Sequence, residues 1–239
     1  MDYAKWAPRY VAIAKDLGYE FARERRSADR LRALLPEAAL RRPSERTIAR
    51  IQGCEAVVVG LGPEAGAPPM HLLPPTPRSR VVLAADGAAA RCLAAGLVPD
   101  LVVTDLDGPV ASEVTANVRG ALVVVHAHGD NVPALERWVP EFSGDLVGSW
   151  AGPPKDGLID VGGFTDGDRA AYLAEDAGAS AVLLWGFDFE RPEDPPGPAR
   201  ERKLRKLAFA KDALGFLATQ SPVPILEWRL DGSRRLFAP

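Results

Sequence analysis

Two aspartates separated by one residue stand at the end of a short apolar run. The run is Leu101-Val102-Val103-Thr104, and Asp105-Leu106-Asp107-Gly108 follows it. Such a run reads as a buried β-strand. Side chains alternate along an extended chain, so Asp105 and Asp107 are expected to point to one side. Two neighbouring carboxylates repel unless a cation lies between them. A divalent metal carrying a polyphosphate suits an all-oxygen pair of this kind. The competing reading is a plain Asp-x-Asp-Gly turn; the strand directly before it favours the metal.

Other polar groups stand where apolar runs stop. His126-Ala127-His128-Gly129-Asp130-Asn131 follows Leu122–Val125 and holds two of the chain's three histidines. At i and i+2 the two rings are expected to share a side, beside Asp130 and Asn131. Phosphate contact or proton handling fits them better than zinc, which lacks further ligands. Ala85-Asp86-Gly87-Ala88 ends another run. There Asp86 either caps the next helix or holds a ribose or a metal-bound water, and the cap is the simpler reading.

Gly60-Leu61-Gly62-Pro63 is either a tight turn or a ligand contact; it lacks the third glycine of a dinucleotide fingerprint. Gly162-Gly163-Phe164-Thr165-Asp166-Gly167-Asp168-Arg169 leads into a helix. Paired glycines before a helix N-terminus form an anion site of backbone N–H groups, with Thr165 as the N-cap and Arg169 in reach of a phosphate. Helix capping alone would also account for Thr165 and Asp166. In Gly186-Phe187-Asp188-Phe189 the acid lies between two aromatic rings. It either belongs to core packing or accepts N–H groups of a flat heterocycle. Lys203, Lys206 and Lys211 lie on one long helical segment, from which any could reach a polyphosphate, and a solvated face is the simpler reading for most of them.

These residues need a scaffold that brings strand ends together. Val57–Val59, Val81–Ala85, Leu101–Thr104, Leu122–Val125, Leu146–Gly148, Ala181–Trp185 and Ile225–Arg229 are short apolar runs, as strands covered on both faces are. Helical segments intervene at Ala88–Ala95, Glu113–Val118, Pro133–Val139, Asp166–Ala177 and Ala199–Thr219. Alternating elements of this kind predict an α/β fold, a mainly parallel, doubly wound, Rossmann-like sheet. Residues 1–52 carry no strand pattern and are expected to be an N-terminal helical extension of an α/β catalytic domain at 53–239. Their first helix ends at Gly18, a second covers about 19–35 with a solvated basic face, and Ser44 caps a third at 45–52. The Pro-rich stretches 63–80 and 190–200 are expected to be irregular, the second serving as a lid.

The composition fits that scheme. The chain has 239 residues, 47% hydrophobic, with a net charge of −3, so no overall field points to nucleic acid or to an anionic membrane. No run of apolar residues is long enough to span a bilayer, and the start of the chain carries no signal-peptide pattern, so a soluble cytoplasmic protein is expected. Cys54 and Cys92 lack metal-ligand spacing and read as buried thiols, with a bridge between them as the alternative.

The motifs at residues 99–108, 126–131, 163–169 and 186–189 together resemble the archaeal, MptE-like 6-hydroxymethyl-7,8-dihydropterin pyrophosphokinases. These are in turn distantly similar to the catalytic domain of thiamine pyrophosphokinases. The resemblance implies transfer of a diphosphate from ATP to a pterin alcohol, with release of AMP, in the biosynthesis of a folate or methanopterin-type carrier. It implies Mg²⁺ on Asp105 and Asp107, with Asp86 nearby. It implies ATP contacts from Asp86, Gly87, His126, Thr165, Asp166 and Arg169, a proton acceptor in His128 or Asp130, and pterin contacts from Asn131 and Asp188. The wider group carries Lys where this chain has Arg169. A homodimer is compatible with this reading; the partners implied are small molecules, ATP and the pterin.

Two other functions share these residues. Residues 102–108 imitate the nucleophile strand of a haloacid dehalogenase-type phosphatase, although Pro109 stands where that family usually has Thr. A nucleotide-binding module without catalysis would use the same pocket.

Overall fold

The computed structural model describes residues 3–63, 65–72, 79–192 and 196–238. Its strands are β1 (Glu55–Val59), β2 (Arg80–Ala85), β3 (Leu101–Thr104), β4 (Leu122–Ala127), β5 (Leu146–Trp150), β6 (Leu158–Asp160), β7 (Ala181–Trp185), β8 (Ile225–Trp228) and β9 (Arg234–Leu236). They form one sheet in the order β6-β5-β4-β3-β2-β1-β7-β8-β9. Every neighbouring pair is parallel except β8 and β9. The helices are α1 (Tyr3–Leu17), α2 (Phe21–Leu34), α3 (Glu37–Leu40), α4 (Pro43–Ile51), α5 (Ala88–Ala94), α6 (Val110–Val118), α7 (Val132–Trp138), α8 (Asp166–Asp176) and α9 (Pro198–Gln220).

Each central strand is apolar on both sides because helices cover both faces. Ala56, Val58, Leu83, Val103 and Val124 face a core shared with α1, α8 and α9. The alternate residues Val57, Val59, Val82, Val102 and Val123 face a second core shared with α2, α5, α6 and α7. The N-terminal helices therefore divide between the two layers. Trp6 of α1 packs on Tyr172 of α8 with ring centroids 5.1 Å apart, and Leu31 of α2 is fully buried on the opposite face. Truncating either to Ala should cost about 2–5 kcal/mol.

The chain winds from β1 outward to β6, then returns to place β7 on the other side of β1. At that reversal the loops leaving the carboxyl ends of adjacent strands part in opposite directions and open a crevice. The loops after β1, β2, β3 and β7, the start of α8 and the first half of α9 line it.

Several boundaries differ from the sequence expectation. β4 and β5 each run two residues further, so His126 lies within a strand. The three-residue strands β6 and β9 and the four-residue α3 were not foreseen; pieces this short show no period. The expected cap at Ser44 is corrected. Helix α4 starts at Pro43, whose fixed φ suits the first helical position, and the N-cap is Arg42 with φ 47° and no side-chain cap. Residues 70–72 form a short 3-10 helix, and α9 begins at Pro198, both inside stretches expected to be irregular. The remainder of those expectations, at residues 73–78 and 193–195, lies outside the described residues. Both cysteines are free, Cys92 buried and Cys54 half-buried, which closes the bridge alternative. Among the described residues no helix is long and apolar enough to cross a membrane.

Candidate active site

Asp86, Asp105, Asp107 and Asp166 come from two loops and a helix start, and all four line the crevice. Asp105 and Asp107 reach it differently from the expected alternation. The strand stops at Thr104, and Leu106 adopts the left-handed region at φ 68° with its side chain buried. A turn, rather than an extended chain, therefore brings both carboxylates to one pocket. Asp86 is also left-handed, at φ 44°. Two non-glycine residues in this region, Asp86 in the crevice wall and Leu106 buried between two residues that line it, are strained positions of the kind that functional sites retain. The N-cap of α5 is Gly87, with no side-chain cap, so the simpler reading of Asp86 as a helix cap is overturned.

The Asp86 carboxylate lies against the backbone of Gly108. A Cβ there would stand 2.3 Å from its Oδ2. Behind it, the Thr104 hydroxyl lies 3.3 Å from Asp86 Oδ1 and 3.1 Å from Glu113 Oε1, and it accepts the Leu106 N–H at 2.9 Å. Glu113 of α6 is fully buried. Burial, together with a hydrogen bond to Asp86 and its charge, pushes Glu113 up to about 10, so it is a neutral acid at pH 7. In the crevice itself, burial and the charges of Asp105 and Asp86 push Asp107 up to about 6. Burial and the same two neighbours raise Asp166 as well. Four acids in one pocket thus repel one another.

The two histidines lie on one side, as expected, with ring centroids 6.5 Å apart, but they do different work. His126 is buried within β4, its Nδ1 3.0 Å from Ser149 Oγ, and it does not line the crevice. Burial and the charges of Arg169 and His128 push its pKa far down, so it is neutral. His128 lies between two carboxylates. Its Nε2 is 3.1 Å from Asp105 Oδ2 and its Nδ1 is 2.7 Å from Asp130 Oδ1. Burial opposes its charge, yet these bonds outweigh burial and hold His128 up to about 10. The hydrogen bond to His128 takes Asp130 down to about 2. Asp105 is lowered too, because the bond and charge of His128 overcome its burial.

Asn131 is buried, and its amide is committed to the main chain. Its Nδ2 donates to Asp105 O at 2.9 Å and His126 O at 2.8 Å, and its Oδ1 accepts the His128 N–H at 3.1 Å. It stitches the two loops together and is not part of the crevice wall. Two residues that sequence reasoning missed hold the same loop from α2. Ser27 Oγ donates to His128 O at 2.6 Å, and the buried Glu24 accepts the Gly129 N–H at 3.0 Å. In an Arg-rich helix nothing in the sequence marks Glu24 as buried rather than solvated like its charged neighbours.

Thr165 is the N-cap of α8 and lines the crevice with Asp166 and Gly167. The buried Asp168 accepts the N–H of Phe164 at 2.5 Å and of Thr165 at 2.8 Å, and also the Thr165 hydroxyl. Arg169 is buried; it donates to Gly163 O at 3.2 Å and Phe164 O at 3.0 Å, outside the crevice wall. The paired glycines answer to packing. A Cβ on Gly162 would stand 2.3 Å from the Tyr172 ring, and Gly163 has φ +88° against Arg169. Gly60 and Gly62 line the crevice and are also closely packed, since their Cβ atoms would approach Gly186 O to 2.8 Å and 2.7 Å. Gly87 faces Leu61 and Pro109 rather than the crevice.

Asp188 lines the crevice between Phe187 and Phe189. Its Oδ1 accepts N–H groups of Glu190 at 3.0 Å and Arg191 at 2.9 Å, and its Oδ2 is paired with Arg191 Nε at 2.8 Å. Opposite, α9 contributes Lys203, Lys206, Leu207 and Ala210.

The donor chemistry fits a hard cation. Among the described residues no three His, Cys, Asp or Glu side chains form a ready metal cage. Magnesium needs none, because it keeps waters and takes one or two carboxylates plus phosphate oxygens. The crowding that pushes Asp107 up to about 6 is what a cation would offset.

Comparison with known proteins bears on this site. Residues 34–194 match the family model described as "6-hydroxymethylpterin diphosphokinase MptE-like". A Pyrococcus furiosus protein named 6-hydroxymethyl-7,8-dihydropterin pyrophosphokinase is 37% identical over 96% of this chain and 100% of its own length. A Methanothermobacter thermautotrophicus protein of the same name is 35% identical over 95% and 100%. The crystal structure of thiamine pyrophosphokinase from Bacillus subtilis superposes with a TM-score of 0.37 and 13% identity, over 73% of this chain and 59% of that one, a likeness too remote to carry weight. On the family model and the full-length relatives, the chain belongs to the MptE-like 6-hydroxymethylpterin diphosphokinase family.

Proposed function

We propose that the protein transfers a diphosphate group from ATP to the hydroxymethyl oxygen of 6-hydroxymethyl-7,8-dihydropterin and releases AMP. The observation that carries this reading is the convergence of Asp86, Asp105, Asp107 and Asp166 on one crevice at the strand reversal. Relatives of full length that bear the name of this activity support it.

Asp105 and Asp107 would hold Mg²⁺, with Asp86 beside them, and the bound ion would offset negative charge on the phosphates. Behind Asp86 the buried Glu113 is neutral and hydrogen-bonded to it. Asp166 and Gly167, in the first turn of α8, line the crevice with backbone N–H groups at a helix N-terminus, suited to phosphate oxygens. Phe187 and Phe189 offer ring faces to a pterin or an adenine, and Asp188 stands between them.

The proton of the attacking hydroxyl does not go to His128, whose two nitrogens are already committed to Asp105 and Asp130. Asp130, at about 2, is a weak base. Positioning and charge, rather than strong base catalysis, accelerate phosphoryl transfer in such sites. His128 fixes Asp105, Asn131 fixes His128, and Arg169 with Asp168 fixes the loop before α8; these are positioning residues.

Incubation with ATP, Mg²⁺ and 6-hydroxymethyl-7,8-dihydropterin tests the reading. AMP and the pterin diphosphate are expected in equal amounts. Release of ADP or of inorganic phosphate alone would refute it.

A further inference from the structure

An ATP triphosphate brings several negative charges into a crevice that already holds four aspartates. Divalent cations offset part of that charge, and protein cations normally supply the rest. The residues that motif reasoning offers for this task are committed elsewhere. Arg169 is buried and spends its terminal nitrogens on Gly163 O and Phe164 O. His126 is buried and neutral. His128 is held by Asp105 and Asp130. Arg191 is paired with Asp188.

Only α9 brings further cations to the crevice wall among the described residues. Lys203, Lys206, Leu207 and Ala210 follow the spacing i, i+3, i+4, i+7, so one face of the helix looks into the pocket. The second half of α9 is anchored by the buried Ala213, Leu214 and Leu217. Its first half therefore overhangs the aspartates on a rigid arm. Lys206 is half-buried, and its charge is felt at Asp105, Asp107 and Asp130. Lys203, one turn earlier, is exposed at the outer edge. Lys211 does not line the crevice.

We infer that Lys206, assisted by Lys203, is the binding residue for the β- and γ-phosphates of ATP, in the place that Arg169 would be expected to fill. The inference deepens the proposed function and rests on ATP being the nucleotide bound. Lysine suits this position as a compact point charge on a flexible stem, able to follow phosphates as they move. The flexible Lys206 faces the pocket from across the acids, so a phosphate chain bound to the acids through a cation would lie between the two charges.

The test is calorimetric titration of the whole chain, in Mg²⁺, with ATP and separately with AMP. Lys206→Met is expected to weaken ATP binding on the order of 10- to 100-fold, the loss of one charge-assisted contact. AMP, which lacks both outer phosphates, should bind as it does to the unsubstituted protein. Lys206→Arg should recover most of the ATP affinity, Lys203→Met should cost only a few-fold, about the effect of an exposed charge, and Lys211→Met should cost nothing. Unchanged ATP binding in Lys206→Met, or an equal loss of ATP and AMP, would overturn the inference. A product assay on the unsubstituted protein, run alongside, separates the two claims. If no AMP forms there, diphosphate transfer fails, while the titrations still decide the role of Lys206.

Discussion

His128 Nε2 lies 3.1 Å from Asp105 Oδ2 while its Nδ1 lies 2.7 Å from Asp130 Oδ1, so one imidazolium joins the crevice acid to the loop that follows β4. The bond sets the charge state of the site and makes it sensitive to pH. The His128 pKa is raised from 6.5 to about 10 in the folded protein. Between those values the native state binds more protons than the unfolded chain, so the stability His128 contributes is complete below pH 6.5 and is lost as pH rises through about 10. On the acid side Asp130, lowered from 3.8 to about 2, contributes stability that is present above 3.8 and lost as pH falls through about 2. Melting temperatures between neutral and alkaline pH should fall more steeply for the unsubstituted protein than for His128→Gln. Glu113, raised from 4.5 to about 10, adds a slope of the same sign to both, and their difference isolates His128. Parallel slopes would contradict the assignment.

Asp107 and Asp105 should separate activity from stability. Asp107 is repelled by Asp105 and Asp86, so Asp107→Asn should keep or raise the melting temperature while AMP formation falls about 100-fold or more. Asp105→Asn also weakens the bond to His128 and should cost about 1–3 kcal/mol of stability in addition. Urea denaturation and turnover, measured on both variants, check the pair. Normal turnover in Asp107→Asn would remove it from the site.

Asn131 and Asp188 should behave differently although both were expected to read the pterin. The Asn131 amide is spent on Asp105 O, His126 O and the His128 N–H, so Asn131→Ala should lose about 1–3 kcal/mol and lower kcat without a selective rise in the pterin KM. Asp188 faces the crevice, and Asp188→Ala should raise the pterin KM about tenfold while the ATP KM stays constant. Steady-state kinetics varying each substrate in turn distinguishes these outcomes.

Two glycines should tolerate alanine in different ways. At Gly108 the new Cβ meets Asp86 Oδ2 at 2.3 Å, and a carboxylate can rotate away, so Gly108→Ala should fold but lose turnover. At Gly60 the obstacle is the backbone oxygen of Gly186 at 2.8 Å, and Gly60→Ala should lose about 1–3 kcal/mol. Thermal melts beside activity assays check both.

The fold was legible because apolar runs and polar strand ends are local signals. Runs that stop at Asp86, Asp105 and Gly186 marked the carboxyl ends of β2, β3 and β7, and those ends frame the site. The division of labour among the polar residues was not legible. His126 and His128 read alike in the sequence, yet two further residues of β4 bury the first in the sheet beside Ser149 and leave the second at the loop. Arg169 read as a phosphate contact and the lysines of α9 mostly as a solvated face, but a packed α8 buries the guanidinium and an anchored α9 turns Lys206 inward. Glu24 lies on a helix whose charged positions mostly face solvent, and Glu113 is the single charge on α6, so their burial appears only once helix and sheet meet.

Label transfer tests the central claim most directly. ATP carrying ³²P at the β position is incubated with the protein, Mg²⁺ and 6-hydroxymethyl-7,8-dihydropterin, and a parallel sample carries the label at the γ position. Diphosphate transfer places both labels in the pterin product and leaves unlabelled AMP. A pterin product that acquires the γ label alone, with the β label retained in ADP, would contradict the account.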